Sequence, residues 1–454
     1  MKELEFIFKH LENIKSNFKL FYRKNDKGLL LHKPTLTLYV LDKQNFQFFK
    51  ELLNKNEAQL REKFKKKDFE LKDLKNTIEE IKKLVQYNSQ KDKKTKKLER
   101  LALFIAQECP LECVYCYGKG GTYGKSEIMS LDILEKSINV FYSLYDKIET
   151  IQFFGGEPLV NIEGICKTIE ILNKKIMRQQ IIYMPKINII TGLGVSKKVV
   201  EKLILLLKKN NHFNYEIIVS FDGPKKIQNL LRPFKKGLPS YDRIVENLNI
   251  LKEINQPKAI EVTYTKQHLI FGISHEDLKE FFKNEFDIED ILIRPVMSCD
   301  ENLIIENDNT LKEIEKILER PYDLEYKLKE YISILINSKP TEYYCNAGIS
   351  SVAISASGDI YPCQLVVGDS KFAFGSIQAP IKTIKENLKK MESKYKILNS
   401  KLLDKNCKEC FLTFFCEGCV FKQYYFEKSS DASIPHNNCE IVKTLTERLF
   451  LSIN

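Results

Sequence analysis

Between residues 101 and 295, short continuous apolar runs alternate with longer stretches in which apolar positions fall three or four residues apart. The runs 101–106, 149–154, 186–191, 215–221, 258–264 and 290–295 read as buried strands, and 130–144, 161–176, 196–209, 241–254 and 275–285 as amphipathic helices. Strands and helices in this rhythm predict parallel βα units, and so an α/β sheet that is either barrel-like or doubly wound. In both architectures the chemistry collects in loops at the carboxyl ends of the strands.

The flanks follow other patterns. Two β-like runs, Phe18–Arg23 and Leu29–Leu41 with a break near Pro34, lead into an amphipathic stretch, Asn45–Leu53, as expected of a small β-plus-helix module. Helical spacing continues through Leu60, Phe64, Leu71, Leu74, Ile78, Ile81 and Val85 amid Lys and Glu. The Lys-rich stretch Lys91–Lys97 reads as a linker. After about residue 340 the alternation stops, and seven cysteines spread over 345–439 among aromatic-rich, irregular segments. That texture is expected of a region folded around bound metal or clusters. The expected division is 1–90, a linker 91–100, a catalytic region 101–320 and a cysteine-rich region 321–454.

At 454 residues and 43% apolar composition the chain can build two or three domains, each with its own core. No apolar run approaches the roughly 20 residues needed to cross a bilayer, and the N-terminus lacks the apolar segment of an export signal. The expectation is a cytoplasmic protein with no membrane partner. Twelve cysteines in a reducing compartment are expected as ligands rather than disulfides. The net charge of +11 lies wholly in residues 1–100, which hold 26 Lys/Arg against 15 Asp/Glu; the remainder has 46 against 46. Such a segment can attract nucleic acid, a membrane surface or an acidic peptide, although a lysine-coated solvated helix is the simpler account.

The first strand is followed by Cys109-Pro-Leu-Glu-Cys113-Val-Tyr-Cys116. Three thiolates on one short loop can hold three irons of a 4Fe–4S cube and leave the fourth open to an external ligand. A zinc site short of one ligand, or three buried thiols, would use the same residues. The second strand ends in Phe153-Phe154-Gly155-Gly156-Glu157-Pro158. The fourth ends in Val219-Ser220-Phe221-Asp222-Gly223-Pro224, followed by Arg232-Pro233 and Ser240-Tyr241-Asp242. Each of these alone is ordinary turn chemistry.

Taken together they resemble the radical S-adenosylmethionine superfamily, with Tyr115 as the aromatic residue before the third cysteine and a Ser-x-Asp-Gly-Pro segment like that of its peptide- and protein-modifying branch. The resemblance implies a partial (β/α)6 TIM-like barrel and an anaerobic oxidoreductase. Its cofactor, S-adenosyl-L-methionine, would chelate the open iron of the Cys109, Cys113 and Cys116 cluster through the methionyl amine and carboxylate. One electron, from a donor such as flavodoxin or ferredoxin, would then release a 5′-deoxyadenosyl radical. Gly155, Gly156, Glu157 and Pro158 would receive the methionyl amine, and Ser220 and Asp222 would approach the ribose and methionine moiety. Arg294, in Ile293-Arg294-Pro295-Val296, is a candidate for the carboxylate. Thr191 would stand near the cofactor, although Thr191-Gly-Leu-Gly194 departs from the family's Thr-Asn-Gly-Thr turn. His268 is assigned no role.

The later cysteines run Cys345, Gly358-Asp-Ile-Tyr-Pro-Cys363, Cys407-x2-Cys410-x5-Cys416-x2-Cys419 and Cys439. By spacing the tight group could be a zinc site or an iron–sulfur site. The set resembles the SPASM extension of radical enzymes, which carries two auxiliary 4Fe–4S clusters. By position, Cys345, Cys363 and Cys419 would hold the first, and Cys407, Cys410, Cys416 and Cys439 the second. The family usually spaces its last pair by three residues, where Cys416 and Cys419 are separated by two. With three candidates only, the first auxiliary cluster could keep an open iron for a substrate thiolate. Cys166 and Cys299 fit no spacing and read as core thiols.

The N-terminal order of β-runs and helices resembles the peptide-recognition domain of maturases of ribosomally made peptides, which captures a leader beside an edge strand. The loop Cys116-Tyr-Gly-Lys-Gly-Gly-Thr-Tyr-Gly124 resembles the maturases of Cys-rich peptides. Sulfatase-maturating enzymes usually place an Asp after the Tyr-Pro-Cys cysteine, where this chain has Gln364. The expected function is therefore thioether crosslinking of a precursor peptide that has a leader and a Cys-containing core. Carbon–carbon crosslinking, epimerisation and sulfatase maturation are alternatives. A zinc-stabilised protein using its basic N-terminus and Cys410–Cys419 to bind nucleic acid is a remoter one, and nucleic acid is not expected as a partner.

Overall fold

A computed structural model describes residues 2–22, 28–35, 37–65, 79, 81–83, 96–298, 300–305, 340–416, 418–422, 424, 439, 443, 446, 447 and 450. Two short helices, α1 (Lys2–Lys9) and α2 (Leu11–Asn17), lead into three strands, β1 (Phe18–Tyr22), β2 (Gly28–His32) and β3 (Thr37–Leu41). The strands form an antiparallel sheet in that order, with Leu20 opposite Leu30 and Leu30 opposite Tyr39. The break expected near Pro34 is a turn in which Thr35 Oγ1 bonds His32 Nδ1 (2.6 Å) and Thr37 Oγ1 (2.7 Å). Asp42 then caps α3 (Lys43–Asn54) by accepting from Asn45 N at 2.8 Å, and α4 (Glu57–Lys65) follows. Of the long helical pattern beyond it, Ile81 is buried in the N-terminal core, while Leu71, Leu74, Ile78 and Val85 lie outside the described residues.

One face of this sheet packs Phe18, Leu20 and Leu30 on Ile7, Leu11, Phe46 and Phe49. The other sets Phe21, Leu29 and Leu31 against Phe411, Leu412 and Phe450, with Phe21 ring centroids 5.4 and 5.5 Å from Phe411 and Phe450. Burial on both faces explains why Leu29-Leu30-Leu31 is a continuous apolar run.

The second sheet holds eight strands among the described residues. Six are parallel neighbours in sequence order, β4 (Lys97–Ala106), β5 (Lys147–Gly155), β6 (Lys186–Thr191), β7 (Tyr215–Ser220), β8 (Ala259–Tyr264) and β9 (Ile291–Pro295). Between them run α5 (Leu131–Leu144), α6 (Ile162–Met177), α7 (Lys197–Lys209), α8 (Lys225–Leu231), α9 (Tyr241–Lys252) and α10 (His275–Phe286). Across these six strands the order never reverses, so the barrel-like alternative is the one formed, as a partial barrel.

Two boundaries shift. The linker expected over 91–100 ends earlier, because Lys97 pairs with Lys147 and Arg100 with Thr150 within the sheet. Lys97 is there a strand residue, in an ion pair with Glu149 at 2.9 Å, and Leu98 is fully buried. The region after 340, expected to be irregular, adds β10 (Ser351–Ile354) and β11 (Ile360–Tyr361) to the sheet and contains the 19-residue helix α11 (Ile381–Asn399). Strand β10 runs parallel to β4, with Ala353 opposite Ala102. The barrel and the cysteine-rich region thus share one core, in which Phe104 and Ile151 join Ile354, Ile384 and Tyr395. Among the described residues no helix is long and apolar enough to cross a membrane.

Candidate active site

The loop after β4 carries Cys109, Cys113 and Cys116, and its shape is set by backbone bonds on two sides. Glu112 N donates to Pro233 O at 2.8 Å and Val114 N to Leu231 O at 2.9 Å, while Gly156 N and Glu157 N donate to Ala106 O and Glu108 O, each at 2.8 Å. The end of β5 can approach this closely because it carries two glycines. A Cβ on Gly155, at φ +130°, would stand 2.2 Å from Ala106 O, and one on Gly156 would stand 2.3 Å from Glu108 O. Tyr123 ties the loop down further by donating to Gly155 O at 3.1 Å.

Burial raises the Cys109 thiol to about 12, helped by the Glu157 carboxylate, and the Cys113 thiol to about 11, with Arg232 acting in the opposite sense. Thiols of this kind stay protonated at neutral pH and become ligands only when a metal displaces the proton. Cluster loading therefore releases protons, and each unit of rising pH favours it by about 1.4 kcal/mol per proton released. Anaerobic iron loading of the apo chain is expected to tighten steadily from pH 6 to pH 9, read as bound iron at fixed free iron and sulfide. A pH-independent affinity would contradict the protonated state of these thiols.

Glu157 is fully buried. Its Oε1 accepts from Thr191 Oγ1 (2.7 Å) and Leu159 N (3.1 Å), and its Oε2 from Gly192 N (2.9 Å). Burial pushes this carboxyl up, while those hydrogen bonds and the Arg232 charge pull it down. Thr191, in the turn that departs from the usual sequence, thus acts on Glu157. Because both oxygens accept, Glu157→Gln would set an NH2 against a donor, and a loss of about 1–3 kcal/mol is expected in urea unfolding of the apo chain. An unchanged midpoint would show that this network does not hold the loop.

Beside it, Tyr115 donates to Asp222 Oδ2 at 2.6 Å and accepts from Arg232 Nη1 at 2.7 Å. Asp222 Oδ1 accepts from Thr263 N at 3.0 Å, and Asp222 N donates to Gln228 Oε1 at 2.8 Å. His268 is buried beneath, where Thr265 N donates to its Nδ1 (3.1 Å), leaving its Nε2–H to donate to Asp222 O (2.9 Å). Ser220, half-buried, ends β7 two residues before Asp222.

Arg232, which the motif reading quoted without giving it a role, is the central cation of this site. Burial disfavours its charge, yet Cys113, Tyr115 and Asp222 around it hold it more firmly protonated than usual. Ser240 Oγ fixes it by donating to Arg232 O at 2.6 Å, and its own Nε–H is buried without an acceptor. Its only signal in sequence was its place shortly after the Asp222 turn. Arg294, by contrast, is exposed on edge strand β9 opposite Thr263. Asp242 pairs with Lys225 at the surface (2.7 Å).

Cys345, Cys363 and Cys419 line one cavity of about 610 Å3, together with Arg100 and Gln364. Burial raises Cys345 to about 11 and Cys363 to about 12. Gln107 joins this region to the first loop, donating to Thr122 O and Lys125 O (3.1 and 3.2 Å) and accepting from Ala356 N (2.8 Å). Cys407 lies on α12 (Lys405–Glu409), where Asp404 caps it (2.8 Å) and the Tyr344 hydroxyl meets its Sγ at 2.8 Å. The Cys439 thiol acts on it electrostatically. Cys410 and Cys416 pack on the Phe411 and Phe21 cluster, so the two-residue spacing sends Cys416 and Cys419 to different surroundings. Cys166 packs against the main core, and Cys299 lies outside the described residues.

Among the described residues no three Cys, His, Asp or Glu side chains close on a point as ligands of one metal ion. A single zinc would need thiolates at about 2.3 Å from one centre, whereas the separate corners of a cube suit thiols that stand apart around a cavity.

Residues 103–284 match the Radical SAM superfamily, and residues 345–411 match the SPASM iron–sulfur cluster-binding domain. The chain is 24% identical to the radical SAM cyclopropyl synthase TigE of Paramaledivibacter caminithermalis, over 78% of this chain and 74% of that one. It is 23% identical to a cysteine-type anaerobic sulfatase-maturating enzyme of Clostridium novyi, over 78% and 95%. The structure of Streptococcus suis SuiB bound to S-adenosylmethionine shares the fold, with a TM-score of 0.53 at 18% identity over 93% of this chain and 98% of that one. With the cysteine loop at the mouth of a partial barrel, the protein is a radical S-adenosylmethionine enzyme. More narrowly, it belongs with those that carry a SPASM domain, and its cofactors are S-adenosyl-L-methionine and 4Fe–4S clusters.

Proposed function

We propose that this enzyme matures a ribosomally made precursor peptide by joining a peptide cysteine sulfur to a carbon of another residue as a thioether. The observation that supports this reading is the cavity walled by Cys345, Cys363 and Cys419, whose lining among the described residues includes no fourth cysteine. A cluster held by three protein thiolates leaves one iron for a substrate thiolate. Cys407, Cys410, Cys416 and Cys439 hold the second auxiliary cluster.

S-adenosylmethionine bound beside Cys109, Cys113 and Cys116 supplies a hydrogen-abstracting adenosyl radical, and the first auxiliary cluster supplies an electron acceptor. Glu157 presents negative charge to the methionyl ammonium. Arg232, whose buried Nε–H has no acceptor among the described residues, would take the methionyl carboxylate in place of the exposed Arg294. Asp222 and Ser220 would approach the ribose. Forming each thioether removes two hydrogens from the peptide: one as a hydrogen atom to the adenosyl carbon, and one as the thiol proton together with an electron.

SuiB has also been solved bound to the precursor peptide SuiA, and the shared fold covers 93% of this chain. In this chain β3 is an edge of the N-terminal sheet among the described residues, and Val40 on it is 63% exposed. A leader adds there as a strand. Removing residues 1–90 would strip the cover from Phe411 and Leu412, so a point change is the cleaner probe. Val40→Asp in the full chain is expected to weaken leader binding at least about tenfold by anisotropy, the cost of a charge in a strand interface. Equal affinity would remove the leader from this edge.

The decisive experiment is anaerobic co-expression with small Cys-containing open reading frames from the neighbourhood of its own gene, followed by intact peptide masses. A loss of two hydrogens per bond, with the cysteine no longer alkylatable, supports thioether formation. The same loss with cysteine still alkylatable points to carbon–carbon bonding, the class in TigE's name. Sulfatase maturation is less well supported, because Gln364 cannot act as the base that an Asp provides there.

A further inference from the structure

Arg100 plays no part in the chemistry above, yet it sits at the head of a polar row that is buried at its middle, at Gln152 and Asn188. Its Nη1 donates to Gln152 Oε1 at 3.4 Å, Gln152 Nε2 to Asn188 Oδ1 at 2.8 Å, and Asn188 Nδ2 to Glu216 Oε2 at 2.9 Å. Lys186 ends the row on Glu216 at 3.1 Å. These residues come from β4, β5, β6 and β7, so the row crosses the barrel interior, where branched apolar side chains usually fill the space. A buried row of this kind is tolerated only when its members are satisfied, and Gln152 Oε1 takes its hydrogen bond from Arg100. A second brace holds Arg100 from the other region, its Nε donating to Ser351 Oγ at 2.9 Å.

The guanidinium so fixed lines the cavity of Cys345, Cys363 and Cys419. Among the described residues it forms no ion pair, and Glu99, the carboxylate on that wall, is engaged by Lys97 (3.6 Å) and Asn346. Burial raises the Cys345 and Cys363 thiols, and Arg100 is a cation opposing that rise in both. An arginine held on two sides, without a carboxylate of its own, is a preset positive charge beside three cluster ligands.

We propose that Arg100 is a positioning residue that sets the reduction potential of the cluster held by Cys345, Cys363 and Cys419, resting on the auxiliary-cluster reading above. A fixed positive charge favours the state with one electron more, so Arg100 raises the potential. The electron involved is the one released as the carbon–sulfur bond forms, when a carbon radical and a thiolate become a thioether. A higher potential makes that cluster the better acceptor.

The test is an anaerobic redox titration of the reconstituted full chain, followed by electron paramagnetic resonance, on wild type, Arg100→Gln, Arg100→Lys and Gln152→Leu. Arg100→Gln is expected to move the auxiliary midpoint to lower potential, with the midpoint of the Cys109–Cys116 cluster and uncoupled cofactor cleavage unchanged. Arg100→Lys should restore most of the shift. Gln152→Leu, which loosens the guanidinium but keeps its charge, should give a smaller shift of the same sign. Equal auxiliary midpoints in all four proteins at equal iron content overturn the proposal. Should Arg100→Gln fail to load, Gln152→Leu and Arg100→Lys decide it by the presence or absence of their own shifts. Iron content separates this from failure of the underlying reading: wild type with only about four irons per chain, unchanged by Cys363→Ala, removes the auxiliary cluster and this proposal with it.

Discussion

Replacing Cys109, Cys113 and Cys116 together by alanine is expected to reduce S-adenosylmethionine cleavage to the uncatalysed background, a fall of at least about 10⁶-fold. Among the described residues no other set at the mouth of the barrel offers thiols that would hold the iron delivering the electron. Glu157, Asp222 and Arg232 bind and orient, but they carry no redox chemistry. The variant should keep its fold, because the loop is fixed by backbone bonds from Glu112 and Val114 to Pro233 and Leu231 rather than by its thiols. The measurement is 5′-deoxyadenosine formed under dithionite, with iron content expected to fall by about four per chain. Residual cleavage at the wild-type rate would place the catalytic cluster elsewhere.

The second large effect separates the two stages of the reaction. Cys363→Ala, and independently Cys345→Ala, is expected to abolish the mass change in the peptide while leaving uncoupled cofactor cleavage within about threefold of wild type. Both thiols are half-buried and line the cavity with Cys419, and removing either would leave a cluster with two protein ligands. Iron should fall by about four per chain here too, but from a different pool. The cleavage site is untouched, since Tyr115, Glu157, Asp222 and Arg232 form their network without these residues. A Cys363→Ala enzyme that still crosslinks peptide would refute the role given to the three-thiol cavity. Both variants together tell hydrogen abstraction from bond formation, a distinction that activity alone cannot make.

The N-terminal module shows how position changes the meaning of a feature. Its lysine excess was the most visible property of the first hundred residues, yet the contacts that fix the module are apolar: Phe21, Leu29 and Leu31 on Phe411, Leu412 and Phe450. It rests on the same segment that bears Cys410 and Cys416. Loss of Cys410 or Cys416 is therefore expected to loosen the module as well.

The six barrel strands, five of the helices between them, the cysteine loop and the Gly-Gly-Glu-Pro turn could be read from the chain alone. Each is encoded by neighbours in sequence: strands by continuous burial, helices by a three-to-four spacing, and the loop by ligands on one short segment. What the chain alone left open depends on residues far apart. Sequential strand order, which chose a partial barrel over a doubly wound sheet, is a property of pairing. The addition of β10 to β4 rests on a four-residue strand too short to announce itself, paired across some 250 positions. Arg232 was quoted with the Asp222 segment but gained a role only when folding brought it among Cys113, Tyr115 and Asp222. Arg100 had no legible role at all, because the row from Gln152 to Glu216 exists only once four strands lie side by side. Local periodicity and ligand spacing thus determined the elements and the cluster loop, whereas the buried charges that orient and tune them were decided by tertiary structure, since a charge acts through space and not along the chain.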